Sequence, residues 1–243
     1  MCAALVLGLG AARAAENAIH WTYEGEEGPA HWGDVSPEYA VCSSGTMQSP
    51  VDLAGAGASG ALAISLNYEP VPLTIFNNGH TIQLNAEGGG TFGENGVDYD
   101  LVQIHFHAPS EHVIAGEHFP LEAHFVHRSE GGALSVMGVF IAEGTGNPEL
   151  AKLLQHLPES AGSPMTFSDT MVDLDGLLPA SHALYRYMGS LTTPPCSEGV
   201  HWHVLSVPVT ASAEQIARLS DVLHMNARPI QPLGSRLLVG PGR

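Results

Sequence analysis

Two imidazoles stand two residues apart in Leu101-Val102-Gln103-Ile104-His105-Phe106-His107. A strand turns successive side chains to opposite faces, so Gln103, His105 and His107 share one face and Val102, Ile104 and Phe106 the other. In Leu121-Glu122-Ala123-His124-Phe125-Val126-His127, the face with His124 also carries Glu122 and Val126. If the two strands are neighbours, His105, His107 and His124 offer three nitrogens to one ion. A catalytic zinc takes three protein ligands and keeps a fourth position open. Imidazole also suits copper, cobalt and nickel; a three-nitrogen site with one open position reads most simply as zinc acting on a bound water. Ligating histidines usually hand their second ring N–H to an acceptor that fixes the ring. Gln103 and Glu122 each precede a proposed ligand by two residues on the same face, and are the expected acceptors.

These strands need a sheet to hold them. Short runs rich in Val, Ile, Leu, Phe and Thr lie at Leu73–Phe76, Thr81–Leu84, Leu101–His107, Leu121–His127, Leu134–Ile141 and His201–Pro208. Asn78-Gly79, Gly88-Gly89-Gly90, Glu94-Asn95-Gly96 and Gly131-Gly132 punctuate them as turns. Two helices are expected. One starts at Asn147-Pro148 and runs through Leu157. The other follows a Ser212/Gln215 capping box and carries Ile216, Leu219 and Leu223 on one stripe. Ala54–Ala61, small and glycine-rich, reads as a surface loop. No repeat or linker interrupts the chain, so one mainly β domain is predicted.

With 243 residues, one β-rich domain or two small ones would fit. A net charge of −17 and a single lysine, Lys152, repel phosphate backbones and argue against nucleic acid as a partner. Cys2 to Ala12 is a short apolar run, and Ala12-Arg13-Ala14 resembles a cleavage site; residues 1–15 therefore read as a secretory signal, although no Lys or Arg precedes the run. Residues 16–243 form the mature domain, expected in the periplasm or outside the cell and not in the membrane. Cleavage leaves Cys42 and Cys196, a natural disulfide pair in an exported chain.

Gln-Ile-His-Phe-His at 103–107, Ser-Glu-His at 110–112, Leu-Glu-Ala-His-Phe-Val-His at 121–127 and Leu-Thr-Thr-Pro-Pro-Cys at 191–196 resemble the α-class carbonic anhydrases. So do Gly-Pro-Ala-His-Trp-Gly at 28–33, Gln-Ser-Pro-Val-Asp at 48–52, Asn-Asn-Gly-His at 77–80 and Asn-Ala-Arg-Pro-Ile-Gln-Pro at 226–232. The blocks keep the family's order from Trp21 to Pro232, and the short His-Phe-His-Ala-Pro-Ser-Glu-His spacing is similar to the bacterial secreted branch. The resemblance implies a mainly β (α+β) fold: one large, mostly antiparallel twisted sheet with a few short helices around it. It implies one Zn2+ per chain on His105, His107 and His124, with Gln103 and Glu122 behind them, and reversible hydration of carbon dioxide to bicarbonate and a proton by zinc-bound hydroxide.

Carried over residue by residue, Thr192 resembles the group that orients the hydroxide, Glu111 the carboxylate that holds its hydroxyl, and His80 the proton shuttle. Tyr23, Asn78 and Gln83 resemble the polar residues that order water toward His80; the last is commonly Asn. Val126, Val136, Leu191, Thr193, Val200 and Trp202 resemble the substrate wall. Cys42 and Cys196 stand where exported members have a disulfide. Relatives in that branch are often dimers, so a homodimer is compatible with the resemblance. His112 and His127 read as hydrogen-bonded scaffold, and His201 and His203 receive no role. The competing readings are a zinc esterase or other hydrolase, and a non-catalytic binding module on the same fold. Neither Gly-x-Ser-x-Gly nor His-Glu-x-x-His occurs to support a serine or zincin mechanism.

Overall fold

The computed structural model describes residues 19–60 and 62–241; the proposed signal segment, Cys2 included, lies outside the described residues. Twelve strands follow in chain order: β1 (Ala58–Ser59), β2 (Ile64–Tyr68), β3 (Val71–Asn77), β4 (Ile82–Asn85), β5 (Gly90–Glu94), β6 (Val97–His107), β7 (Leu121–Ser129), β8 (Leu134–Glu143), β9 (Met165–Val172), β10 (Leu184–Ser190), β11 (Glu198–Ala211) and β12 (Val239–Gly240). They join in the order β1-β12-β10-β11-β8-β7-β6-β4-β3-β9, with β2 and β5 added through β6. The sheet is mostly antiparallel, as expected; β8 with β11 and β1 with β12 are parallel.

Alternation along the histidine strands divides the molecule. Ile104, Phe106 and Phe125 are fully buried in the larger core cluster on one face. Burial of side chains of this size stabilises by about 1.5–3 kcal/mol each. The intervening residues point to the opposite face, where a second cluster holds Val136, Val200, Trp202 and Val204, with Val126 and Leu191 packed against it. The sheet thus carries polar chemistry between its apolar layers.

Four short helices flank it: α1 (Trp32–Val35), α2 (Val41–Ser44), α3 (Pro148–Gln155) and α4 (Ala213–Leu223). Asn147 caps α3 through Oδ1, which accepts from Glu149 N and Leu150 N, and Ser212 with Gln215 forms the expected capping box on α4. α3 ends at Gln155 rather than Leu157. Pro158 follows Leu157, and the residue before a proline is pushed out of the helical region, so Leu157 cannot extend the helix. The stretch expected as a loop at 54–61 contains a 3-10 turn, Leu53–Gly55, and the two-residue β1. Asn95 and Gly96 take φ of 52° and 81°, closing the β5–β6 hairpin with the left-handed pair that a tight two-residue turn needs.

Candidate metal centre

β6 and β7 are antiparallel neighbours, and their register sets His105 opposite His124 and His107 opposite Glu122. A shift in the ladder between Leu101 and Gln103 precedes this pairing, so Gln103 faces Val126. Donor atoms of His105, His107 and His124 all lie within 4.8 Å of one another. The rings meet at centroid separations of 5.0, 5.1 and 4.5 Å. His107 and His124 are buried and His105 is partly covered.

Each ring is held from behind. His105 Nδ1 lies 2.8 Å from Gln103 Oε1. His107 Nδ1 donates to the main-chain oxygen of Asn226 at 2.8 Å. These contacts leave Nε2 of both rings as the free nitrogen. His124 is turned the other way: Nε2 lies 3.0 Å from Glu122 Oε1, off the line of a well-formed hydrogen bond, and Nδ1 is the nitrogen left to the centre. Burial and the neighbouring His107 and His124 hold the His105 ring well below its ordinary pKa, and burial lowers that of His107. Both are neutral imidazoles, the form that binds a metal.

Glu122 joins two histidines. Its Oε1 also receives His112 Nδ1 at 2.8 Å, while Oε2 accepts the main-chain N–H groups of Glu111 and His112 at 2.9 Å each. Burial alone would raise this carboxyl's pKa; His112 and His124 hold it well below the carboxylate range instead. His112 Nε2 reaches Tyr187 Oη at 2.7 Å, and Tyr187 donates to Ser49 Oγ at 2.9 Å. His112 is therefore hydrogen-bonded scaffold behind the ligands. His127 is scaffold too, between Tyr68 Oη and the Ser135 carbonyl.

The loop that follows β10 carries Leu191, Thr192 and Thr193. Leu191 N donates to Ser197 O and Cys196 N to Thr193 O, and Cys196 is bonded to Cys42 across 154 residues. Cys42 O accepts from Arg228 Nη2, and Arg228 N donates to Glu111 Oε1 at 2.8 Å. Glu111 Oε2 is buried with no hydrogen-bond partner among the described residues. It lies 3.5 Å from His107 Nε2 and 3.9 Å from His124 Nδ1. The expected acceptor for Thr192 thus keeps one oxygen free beside the centre.

His80 sits in the turn between β3 and β4. Asn78 Oδ1 accepts from His80 N and Thr81 N, and Asn226 Nδ2 donates to His80 O. The imidazole stacks on Trp21, centroids 3.7 Å apart and planes 6° from parallel. Burial, with His20 adding charge repulsion, lowers its pKa. Asn78 Nδ2 donates to Gln83 Oε1 and Gln83 Nε2 to Asn85 Oδ1; Gln83 stands opposite His105 in the β4–β6 ladder. Tyr23 packs edge-on against Trp32, its phenol pKa raised by burial and further by Glu111. Trp202 presents its edge to His124 at 4.9 Å.

Two parts of this arrangement had no local sequence signal. Asn226 fixes His107 through its carbonyl and uses its side chain on Ala108 N, Phe106 O and His80 O. Gly138, opposite His124 on β8, leaves the space that Glu122 occupies.

Three imidazole nitrogens converge, and among the described residues His107 Nε2 is buried without a hydrogen-bond partner and a carboxylate oxygen beside it is equally unpaired. Buried polar atoms are rarely left so. A divalent cation with an open position fits this donor set.

The chain matches the family model for eukaryotic-type carbonic anhydrase over residues 27–239. It is 45% identical over 237 residues to a carbonic anhydrase of Pectobacterium carotovorum, covering 97% of each chain. A carbonic anhydrase of Nostoc sp. is 41% identical over 226 residues, 91% of this chain and 86% of the relative. Among solved structures, the α-carbonic anhydrase of Thermovibrio ammonificans in complex with sulfanilamide superposes with a TM-score of 0.84 at 42% identity, over 92% of this chain and all of that one.

Proposed function

Because the chain belongs to the α-class, eukaryotic-type carbonic anhydrase family, we propose how its own residues carry that family's reaction. The reaction is the reversible hydration of carbon dioxide to bicarbonate and a proton, a lyase activity. The observation that carries our assignment is the convergence of His105, His107 and His124 from adjoining strands.

These three residues would hold Zn2+. Bound there, zinc supplies a Lewis acid that lets water lose its proton near neutral pH; carbonic anhydrase is itself the standard example of that effect, at about pH 7. Gln103, Glu122 and the Asn226 carbonyl orient the three rings and keep the correct nitrogen free. Neutral imidazoles leave the full charge of the ion at the centre, which favours an anion there.

Thr192 positions the attacking oxygen. Glu111 Oε2, which has no hydrogen-bond partner among the described residues, is the acceptor we assign to the Thr192 hydroxyl; with its proton given there, the threonine oxygen would accept from the nucleophile and aim a lone pair at carbon dioxide. The acceptor stays fixed because its other oxygen is occupied by Arg228 N. Val126, Val136, Leu191, Val200 and Trp202 supply an apolar wall for a substrate without charge, and Thr193 borders it. His80 takes the released proton and gives it to buffer, with Tyr23, Asn78 and Gln83 ordering water along the way.

The retained ligand trio, Glu111 and Thr192 support catalysis over a non-catalytic role. Carbon dioxide as substrate suits the apolar wall better than a bulky ester does. The Cys42–Cys196 bond supports a periplasmic or extracellular location. No helix among the described residues is long and apolar enough to cross a membrane. His124→Ala tests the reading: carbon dioxide hydration should fall to near the uncatalysed rate, and full activity in this variant would overturn it.

A further inference from the structure

A buried cation sits next to Glu111. Arg228 is 2% exposed and lies in a stretch, residues 226–233, that is neither helix nor strand. The stretch is fastened by Asn226 N to Ala108 O and by Gln231 N to Pro50 O. Between these anchors, Arg228 N donates to Glu111 Oε1 at 2.8 Å. No ladder fixes the direction of that N–H; the side chain of the same residue does. Nη1 donates to Gln48 Oε1 at 2.9 Å and to Ser49 O at 2.8 Å, and Nη2 donates to Cys42 O at 3.0 Å. The guanidinium carbon also lies over the buried Trp32 ring, 5.5 Å from its centre. Nε has no partner among the described residues, so the two terminal nitrogens carry the attachment. Burial lowers the pKa of the group to about 10 against the pull of Glu111 and Tyr187, and it stays charged at neutral pH.

The same side chain reaches the loop that bears Thr192. Gln48, whose Oε1 Arg228 holds, donates from Nε2 to Cys196 O at 3.1 Å, and Cys196 N closes that loop on Thr193 O. Cys42, whose carbonyl Arg228 holds, is bonded to Cys196. The Glu111 carboxylate and the Thr192 loop are thus tied to one residue. We propose that Arg228 is a positioning residue for carbon dioxide hydration: it sets Glu111 in register with the Thr192 loop and so keeps Oε2 on the threonine hydroxyl. This role rests on the assignment of Glu111 Oε2 to Thr192. Lysine cannot fill it, since one ammonium has no fork to span Gln48, Ser49 and Cys42 at once. A misplacement of about 1 Å in such a group can slow a reaction by about 100-fold.

Arg228→Lys should lower kcat/KM for carbon dioxide hydration by about 10–100-fold and leave zinc affinity, read by chelator competition, unchanged. In the metal-free protein the main-chain amide of residue 228 should exchange with solvent faster, while the amides of β6 and β7 keep their wild-type rates. The decisive comparison is made in a Thr192→Val background. There Arg228→Lys should cause no further loss, because the hydroxyl that Glu111 receives is gone. An equal loss in both backgrounds would mean a merely structural role and would overturn the proposal. Full activity of Arg228→Lys beside a damaged Thr192→Val would overturn it too, and would leave the Thr192 assignment standing. If Thr192→Val loses nothing, that assignment fails and this role with it. Gln48→Leu cuts the bridge to Cys196 O but leaves Arg228 its two carbonyl partners, and it carries the same comparison should Arg228→Lys fail to fold. A loss confined to the protein with Thr192 supports the register; no loss, or an equal loss in both backgrounds, overturns it.

Discussion

Gly138 leaves room for the carboxylate of Glu122: a β-carbon built on its backbone would lie 2.7 Å from Glu122 Oε1. A carboxylate at the end of a free side chain would swing aside. This one cannot move cheaply, since it is buried and tied to His112 and to two main-chain N–H groups. The absence of a side chain on β8 is therefore part of what orients His124 on β7.

Gly138→Ala should displace Glu122 and reduce zinc affinity by about 10–100-fold, the usual cost of disturbing a ligand's outer partner. Glu122→Gln should act in the same direction. Competition with a chelator of known affinity measures both. Wild-type affinity in Gly138→Ala would show that the contact does not orient the ligand.

His80→Ala should lower turnover in dilute buffer by up to about 100-fold, at the lower edge of what general acid–base groups contribute, and added imidazole should restore it. The sign of the pH effect follows from the lowered pKa of His80. Its neutral, proton-accepting form persists below the ordinary value of about 6.5. Turnover that depends on the shuttle should be complete above the lowered pKa and lost as pH falls through it. Equal turnover of both proteins in dilute buffer would refute the role.

The disulfide closes a long loop across 154 residues and pins the segment that bears Thr192. Its removal by Cys42→Ser with Cys196→Ser should cost roughly 2–5 kcal/mol of stability. Denaturant unfolding under oxidising conditions reads this directly. Labelling of the denatured, unreduced mature protein should find no free thiol; two thiols per chain would contradict it.

His127 is buried neutral, its pKa lowered to about 3 chiefly by burial. The unfolded chain takes up a proton near pH 6.5 and the folded chain only near pH 3. This residue's contribution is whole above about pH 6.5 and lost as pH falls, at up to about 1.4 kcal/mol per pH unit. His127→Leu should lower stability at pH 7, because Tyr68 loses its acceptor. It should also flatten the slope between pH 6 and 4, as read from urea midpoints. Parallel slopes in the two proteins would rule this out.

The ligands were legible because strand geometry has a period of two. That rule sets His105 and His107 on one face with Gln103, and His124 on one face with Glu122; that the two strands are neighbours came from the family resemblance, since period says nothing of strand order. Asn226 could not be found this way, since its carbonyl meets His107 across 119 positions of chain and no local pattern reports such a contact. Gly138 was hidden because an absent side chain carries no periodic signal. β9 was missed because its side chains are mostly exposed, with only Val172 buried. β5 was missed because Gly90 and Glu94, its two end residues, read as parts of turns. α3 was found through its cap, Asn147-Pro148, a signal that is local by nature.

The central claim is that one zinc, held by three imidazoles, makes this chain a carbon dioxide hydratase. The direct measurement is stopped-flow hydration of carbon dioxide by zinc-stripped protein as zinc is returned stepwise. Activity should be absent at the start, rise in proportion to added metal and level off at one equivalent per chain. Full activity in the stripped protein, or no recovery at one equivalent, would contradict it.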